Sequence, residues 1–162
     1  MEAGKKLKIT ETKDPEVFAE CARLMSQSDP WITLGLPYEY CIKAFEGGFR
    51  EVFLAECENE LAGFVIMQTQ GTFKGYIQTI FMKKSWRSMG RGKELIQFCE
   101  DRILKYSPNV FICVSSFNAG AIRLYEELGY GRVGELKDFL KNGYTELLYR
   151  KTKGPIVGYL SL

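Results

Sequence analysis

The sequence contains no histidine. That absence removes the Ser-His-Asp and Cys-His constellations, in which an imidazole activates a nucleophile near neutral pH. Proton transfer would have to fall to Glu, Asp, Tyr, Cys, Lys or water. Five cysteines, Cys21, Cys41, Cys57, Cys99 and Cys113, are scattered with no C-x-x-C pair. With histidine also missing, no zinc-site spacing arises and no metal is expected. An odd number of dispersed cysteines suits free thiols in a reducing compartment. Residues 1–8 are polar and basic and lack the apolar stretch of a secretory signal. No run of about 18 apolar residues occurs either. The expectation is a cytoplasmic protein with no membrane partner. A formal net charge of +2 is too near balance for a surface built to coat nucleic acid, so none is expected as a partner.

What is there is the composition of an ordinary globular chain, 46% hydrophobic and 26% charged over 162 residues. That suffices for a single domain, residues 1–162, with a substantial core. Residues 7–10 alternate as a short strand. Asp14-Pro15-Glu16 reads as a helix start, with Asp as N-cap, Pro at the first helical position and an acid in the first turn. Val17, Phe18, Cys21, Leu24 and Met25 supply its core-facing stripe. That helix should fail near Ser28-Asp29-Pro30, followed by a loop over 31–37 and a second short helix over 38–45.

From Arg50 the pattern changes. Segments 51–57, 61–69 and 75–82 are β-rich and are joined by turn signals at Glu58-Asn59-Glu60 and Gly71-Thr72, which predicts an antiparallel meander. A helix opens at Gly90-Arg91-Gly92 and ends at Ser107-Pro108. The continuous apolar run 110–115 reads as a buried strand. A helix over 119–128 is stopped by Gly129, and strands around 130–136 and 144–150 finish the chain. The order is β-αα-βββ-α-β-α-ββ, a mixed α+β domain.

The most informative stretch runs from Gln78 to Lys93. A strand ends, a basic segment follows, and Gly90 and Gly92 lead into a helix. Unpaired backbone N–H groups and the helix dipole make such a turn an anion site, best suited to phosphate or pyrophosphate. Arg87, Arg91 and Lys93 add formal charge. A Walker loop is excluded, because Arg87 stands where its first glycine belongs and Glu94 where its Ser or Thr belongs. The dinucleotide fingerprint is excluded by Leu95, which replaces its third glycine. On spacing alone, a plain turn leading into a helix explains the glycines equally well. Downstream, Asn118 is a sound N-cap, Ala121 a small packing residue and Gly129 a helix stop. Tyr125 falls on the same helix, and its plain alternative is a core aromatic with a hydrogen-bonded hydroxyl.

Arg87-Ser88-Met89-Gly90-Arg91-Gly92 is similar to the R/Q-x-x-G-x-G/A motif of the GNAT superfamily of N-acetyltransferases, and stands between the fourth strand and the third helix as it does there. The segment 118–130 resembles the family's second signature, N-x-x-A-x-x-x-Y-x-x-x-G-F/Y. The resemblance implies the GNAT fold: a mostly antiparallel seven-stranded sheet with a central parallel pair, flanked by about four helices. It implies acetyl-CoA (coenzyme A) as cosubstrate and transfer of acetyl to a primary amine. The loop, through the backbones of Ser88, Gly90, Gly92 and Lys93 and with Arg87, Met89 and Arg91 in the same turn, would hold the pyrophosphate. Phe81 and Met82 at the strand end would pair with the pantetheine arm, and Asn118 would contact the cofactor. Tyr125 would point its hydroxyl at the sulfur, where a phenol can protonate or stabilise the departing thiolate.

The family pattern breaks at the base. The ribosomal-protein branch carries a glutamate twelve residues before the tyrosine, where this chain has Cys113, a poor base in an apolar strand. The fourth strand offers Tyr76, which could act through a water, and no carboxylate. Glu39, Glu51 and Glu56 are candidates that no spacing argument separates. For the acceptor, Trp31 and Tyr38 could line an amine pocket, with Asp29 to attract a cation and the last hairpin near 138–144 as a further wall; Trp31 could equally just pack its loop. The acceptor is a small molecule or a peptide, with a homodimer left open. Three alternatives remain: transfer of another acyl group, a peptide N-terminal or lysine acetyltransferase, and a non-catalytic acyl-CoA-binding or regulatory module.

Overall fold

The computed structural model describes residues 6–160; the first five, part of the basic start considered above, and the last two lie outside the described residues. The chain begins with β1 (Lys8–Glu11) and α1 (Pro15–Ser26). Asp14 caps α1 as its sequence predicts: its carboxylate accepts from the Glu16 amide at 2.9 Å, and Pro15 occupies the first helical position.

The expected loop over 31–37 is instead opened by a helical turn, α2 (Trp31–Leu34). Asp29 explains it, accepting from the Thr33 amide at 3.1 Å and from the Thr33 hydroxyl at 2.6 Å. Gly35, left-handed at φ 64°, ends the turn. The second short helix divides into α3 (Tyr38–Cys41) and a 3₁₀ turn (Ile42–Phe45).

The meander follows as β2 (Arg50–Cys57), β3 (Glu60–Gln68) and β4 (Tyr76–Met82). Then come α4 (Arg91–Ile103), β5 (Asn109–Ser115), α5 (Ala119–Glu127), β6 (Gly131–Lys137) and β7 (Thr145–Thr152). With α2 included, the described residues hold five α-helices rather than about four. α4 stops at Ile103, short of Ser107-Pro108, because the chain tightens: both Tyr106 and Ser107 donate to the Ile103 carbonyl at 2.9 Å.

Seven strands form one sheet in the order β1-β2-β3-β4-β5-β7-β6, antiparallel except for the parallel pair β4–β5. β3 lies inside the sheet, and its alternation divides the core. Val65 and Met67 join α4 residues Leu95, Ile96, Cys99 and Ile103 on one face, while Phe64 and Ile66 join Cys21, Ala22 and Met25 of α1 on the other.

Two features of β4 open the sheet at its middle. Gly75, with φ 87°, lets β4 start hard against β5: a Cβ there would stand 2.5 Å from the Asn109 carbonyl oxygen. Its own carbonyl accepts from Phe111 at 3.0 Å. The parallel register then covers only Tyr76↔Phe111 and Ile77↔Ile112. Pairing with β3 passes from Ile66↔Thr79 to Met67↔Ile77, so Gln78 is an extra, bulged residue. A bulge bends its strand. Beyond it β4 and β5 diverge.

Candidate active site

Two cavities meet at this divergence. The first, about 610 Å³, lies between the end of β4, the head of α4 and the start of α5. The second, about 510 Å³, opens on the other side of the gap, between the 3₁₀ turn, β4, β5 and the β6–β7 hairpin. Pro30, Trp31, Ile80, Asn118 and Tyr125 line both.

At the head of α4, Gly90 is the N-cap and offers no side-chain cap; the first intrahelical bond is Glu94 N–H to the Gly90 carbonyl at 3.0 Å. The amides of Arg91, Gly92 and Lys93 are thereby left without helical partners. Ser88 (φ 63°) and Gly90 (φ 75°) both lie in the left-handed region, a backbone path that turns successive N–H groups inward as an anion nest. Gly92 has no packing reason to be glycine, because the nearest atom a Cβ would meet is Leu124 Cδ2 at 3.7 Å. Its missing side chain instead faces the first cavity. Arg87 ties the loop to the strand, donating from Nε to the Met82 carbonyl at 2.8 Å. These features fit a pyrophosphate.

The edge of β4 facing the gap is defined by register. Lys83 donates to the Ala62 carbonyl at 2.8 Å, and hydrogen-bonded pairs alternate along an antiparallel ladder. The main chain of Phe81 therefore faces β3, whereas that of Ile80 and Met82 faces the gap.

α5 presents Asn118 and Tyr125 to both cavities. Asn118 caps the helix, accepting from the Ala121 amide at 3.2 Å. Tyr125 is 5% exposed, its ring set between Tyr130 and Tyr149 at centroid distances of 6.1 and 6.4 Å. Its hydroxyl has no hydrogen-bond partner among the described residues. The plain alternative, a core tyrosine with a satisfied hydroxyl, therefore does not describe it. Burial, with Cys99 as a second cause, pushes its pKa up, so the phenol stays protonated at neutral pH.

The residues singled out in the sequence divide as follows. Trp31, Phe81, Met82, Arg87, Ser88, Gly90, Gly92, Lys93, Asn118 and Tyr125 line the first cavity, and Tyr76 lines the second. Met89 points to solvent, 60% exposed. Arg91 turns back along α4 to Glu94 at 3.0 Å, so its charge is neutralised within the helix. Tyr38 packs against the α1 side of the core and lines neither cavity. Trp31 sits 6.2 Å from the Phe81 ring while lining both cavities. Asp29 also lines the first cavity, with its Oδ1 accepting from Thr33.

None of the three carboxylates considered for the base reaches a cavity. Glu51 pairs with Arg102 and Glu56 with Lys8 at 3.9 Å, while Glu39 is exposed on α3. Burial raises the pKa of Cys113, and burial followed by Cys113 raises that of Tyr76, so neither is anionic at neutral pH. The carboxylate that does line the second cavity is Glu146 of β7, 5% exposed and opposite Ser115 in the β5–β7 register. Sequence reasoning passed it over; its one signal was a lone acid beside the apolar run Leu147-Leu148-Tyr149 of β7.

Known proteins share this architecture. The profile of the family described as "Acetyltransferase (GNAT) family" matches residues 17–130. N-alpha-acetyltransferase 30 of Dictyostelium discoideum is 34% identical over 89 residues, 52% of this chain and 48% of the relative. The match thus spans about half of that relative's length. The ribosomal-protein-S18-alanine N-acetyltransferase of Escherichia coli superposes with a TM-score of 0.72 at 16% identity, covering 96% of this chain and 99% of that one. An aminoglycoside 6'-N-acetyltransferase solved with coenzyme A gives 0.69 at 18% identity, covering 91% and 98%. At such identities the structural likeness is one of fold. With the family profile covering most of the chain, and the sheet splitting between β4 and β5 beside the glycine turn it describes, the chain belongs to the GNAT acetyltransferase family.

Proposed function

We propose that the protein transfers an acetyl group from acetyl-CoA to a primary amine, by direct attack of the amine on the thioester. The observation that carries this reading is the convergence on one cleft of three groups: the unpaired amides at the head of α4, the gap-facing main chain of Ile80 with the Met82 amide, and the Tyr125 hydroxyl, which has no partner among the described residues. The α4 amides, with Arg87 and Lys93 beside them, suit the diphosphate. The β4 edge suits the amide-bearing pantetheine arm, taken as an added strand. The Met82 amide would polarise the thioester carbonyl, and Tyr125 would supply a proton to the thiolate.

The second cavity then receives the acceptor. Among the described residues its one carboxylate is Glu146; Lys43 and Arg50 also line it, with Leu34, Leu36, Tyr40, Phe139 and Leu140 as apolar lining. A polycationic amine would need several anions there. The lining instead favours an acceptor with a single ammonium and an apolar body, such as the α-amine of a peptide whose first side chain is apolar. The sequence relatives named N-alpha-acetyltransferase support the same class.

The test is titration calorimetry with acetyl-CoA, followed by thiol-release assays over a panel of apolar α-amines, lysine peptides and polyamines. Saturable binding and turnover highest with apolar α-amines are expected. Gly90→Glu, which puts a carboxylate into the nest, should abolish binding; normal affinity in that variant would refute the pyrophosphate site. Cofactor binding with no turnover on any amine would leave a binding module in place of an enzyme.

A further inference from the structure

We propose that the Glu146 carboxylate takes the proton from the acceptor's ammonium, a role for which β5 offers only Cys113 and β4 only Tyr76. The proposal rests on the acetyl-transfer reading above and adds the residue that reading lacks. Amines are protonated at neutral pH and carry no lone pair to attack with, so some group facing the acceptor must accept a proton.

The placement of Glu146 follows from strand register. Glu146 stands opposite Ser115 across β5–β7, and the Ser115 hydroxyl donates to Glu146 Oε1 at 2.6 Å. That bond orients the carboxyl and occupies one oxygen. The other, Oε2, makes no hydrogen bond to a described residue. It is also not sealed in: the enclosed, unpartnered polar atoms of the described residues are Arg91 Nε, Tyr106 Oη and Asn109 Oδ1. Oε2 therefore borders the cavity it lines.

The groups around it leave it the role by elimination. Cys113 approaches from β5 and Tyr76 from β4, both held neutral, and Leu136 lies opposite on β6 with Lys137 next along. Lys43 and Arg50 share the cavity wall, and neither is a base. Arg50 is further engaged, donating to the carbonyls of Lys43, Ala44 and Glu46. Burial raises the carboxyl's own pKa above the ordinary glutamate value, with Ser115 pulling the other way, which moves its basicity toward that of an amine.

The step balances. An ammonium N–H bond breaks toward Glu146, the freed lone pair forms the N–C bond at the thioester carbonyl carbon, and the C–S bond breaks. The thiolate takes the Tyr125 proton, and a second proton from the nitrogen restores that phenol. The products are one amide, one free thiol and one proton held on Glu146.

The experiment compares wild type, Glu146→Gln and Ser115→Ala by thiol release across pH, with acetyl-CoA affinity measured in parallel. Glu146→Gln should lower kcat/KM by about 10²–10⁴-fold at unchanged acetyl-CoA affinity, and should erase the rising acid limb of the profile. Ser115→Ala removes the hydrogen bond that orients the carboxyl and lowers its pKa, so its acid limb should move to higher pH; a merely structural serine would not shift the limb. An active wild type matched in rate and profile by Glu146→Gln overturns this proposal alone. A wild type that binds acetyl-CoA but acetylates no amine overturns it together with the functional reading. Should Glu146→Gln not fold, Ser115→Ala decides, and an unmoved limb refutes the assignment.

Discussion

Replacing Tyr125 by Phe separates transfer from folding and from binding because its hydroxyl is bonded to nothing among the described residues. A typical protein hydrogen bond contributes about 0.5–1.5 kcal/mol net to stability. The Tyr125 hydroxyl makes none among the described residues, and the ring contacts with Tyr130 and Tyr149 survive in Phe. The variant should therefore keep its stability to within about 1 kcal/mol. The catalytic loss is of a different size. A positioned general acid contributes roughly 10²–10⁴-fold, or about 2.7–5.4 kcal/mol of barrier. Burial holds the phenol protonated well past neutrality, so wild-type kcat should show no falling limb from this group below about pH 10. The assay is thiol release under saturating acetyl-CoA and amine, with calorimetric affinity and thermal melting as controls. Unchanged kcat would refute the assignment. A loss of rate matched by an equal loss of acetyl-CoA affinity would make the hydroxyl a binding group.

Three further outcomes follow from the geometry. Gly75→Ala should destabilise the fold by about 2–4 kcal/mol through backbone strain and overpacking, since its Cβ would meet the Asn109 carbonyl oxygen at 2.5 Å and Ile103 Cγ2 at 2.6 Å with φ 87°; an unshifted denaturation midpoint would contradict this. Gly92→Ala should stabilise by up to about 1 kcal/mol through helix propensity, because Leu124 Cδ2 at 3.7 Å leaves room; a lowered melting temperature would mean the helix start is misread. Glu146→Gln should melt higher than wild type at neutral pH. The carboxyl's pKa is raised in the fold, so its favourable contribution is complete below the unfolded glutamate value and lost as pH rises through the folded one. The gap between the two proteins should close in acid, and a gap constant with pH would refute the burial argument.

Much of the fold was legible because local chemistry and tertiary context agree. Asp14-Pro15 starts α1 where capping rules place a start. The apolar run in β5 is buried because the strand lies inside the sheet between β4 and β7, with Val110, Ile112 and Val114 packed in the α4 side of the core. The glycine turn and Tyr125 were recognisable as motifs, since each needs a particular residue type at a particular spacing. The region between α1 and β2 was less legible. Asp29, read as able to attract a cation, lines the first cavity while its Oδ1 closes the turn of α2 through Thr33. Tyr38, read as a pocket aromatic, packs half-buried against the core, and the Arg91 side chain pairs with Glu94 while its amide stays in the turn at the head of α4. In each case a contact in space, which residue type alone does not encode, sets where the side chain goes.

By itself the sequence determined the order of elements, the split of apolar residues that makes two core faces, and the backbone freedom at the head of α4. These follow from periodicity, capping and the missing side chains of Gly90 and Gly92, all of which act over a few residues. Only the tertiary structure decided which carboxylate meets the acceptor. Glu146 lies 31 residues from Ser115 along the chain, and the two meet because β7 pairs with β5 rather than with β4. A hydrogen-bonded register between distant strands, which no local pattern encodes, sets that pairing and with it the face on which the one carboxylate opens.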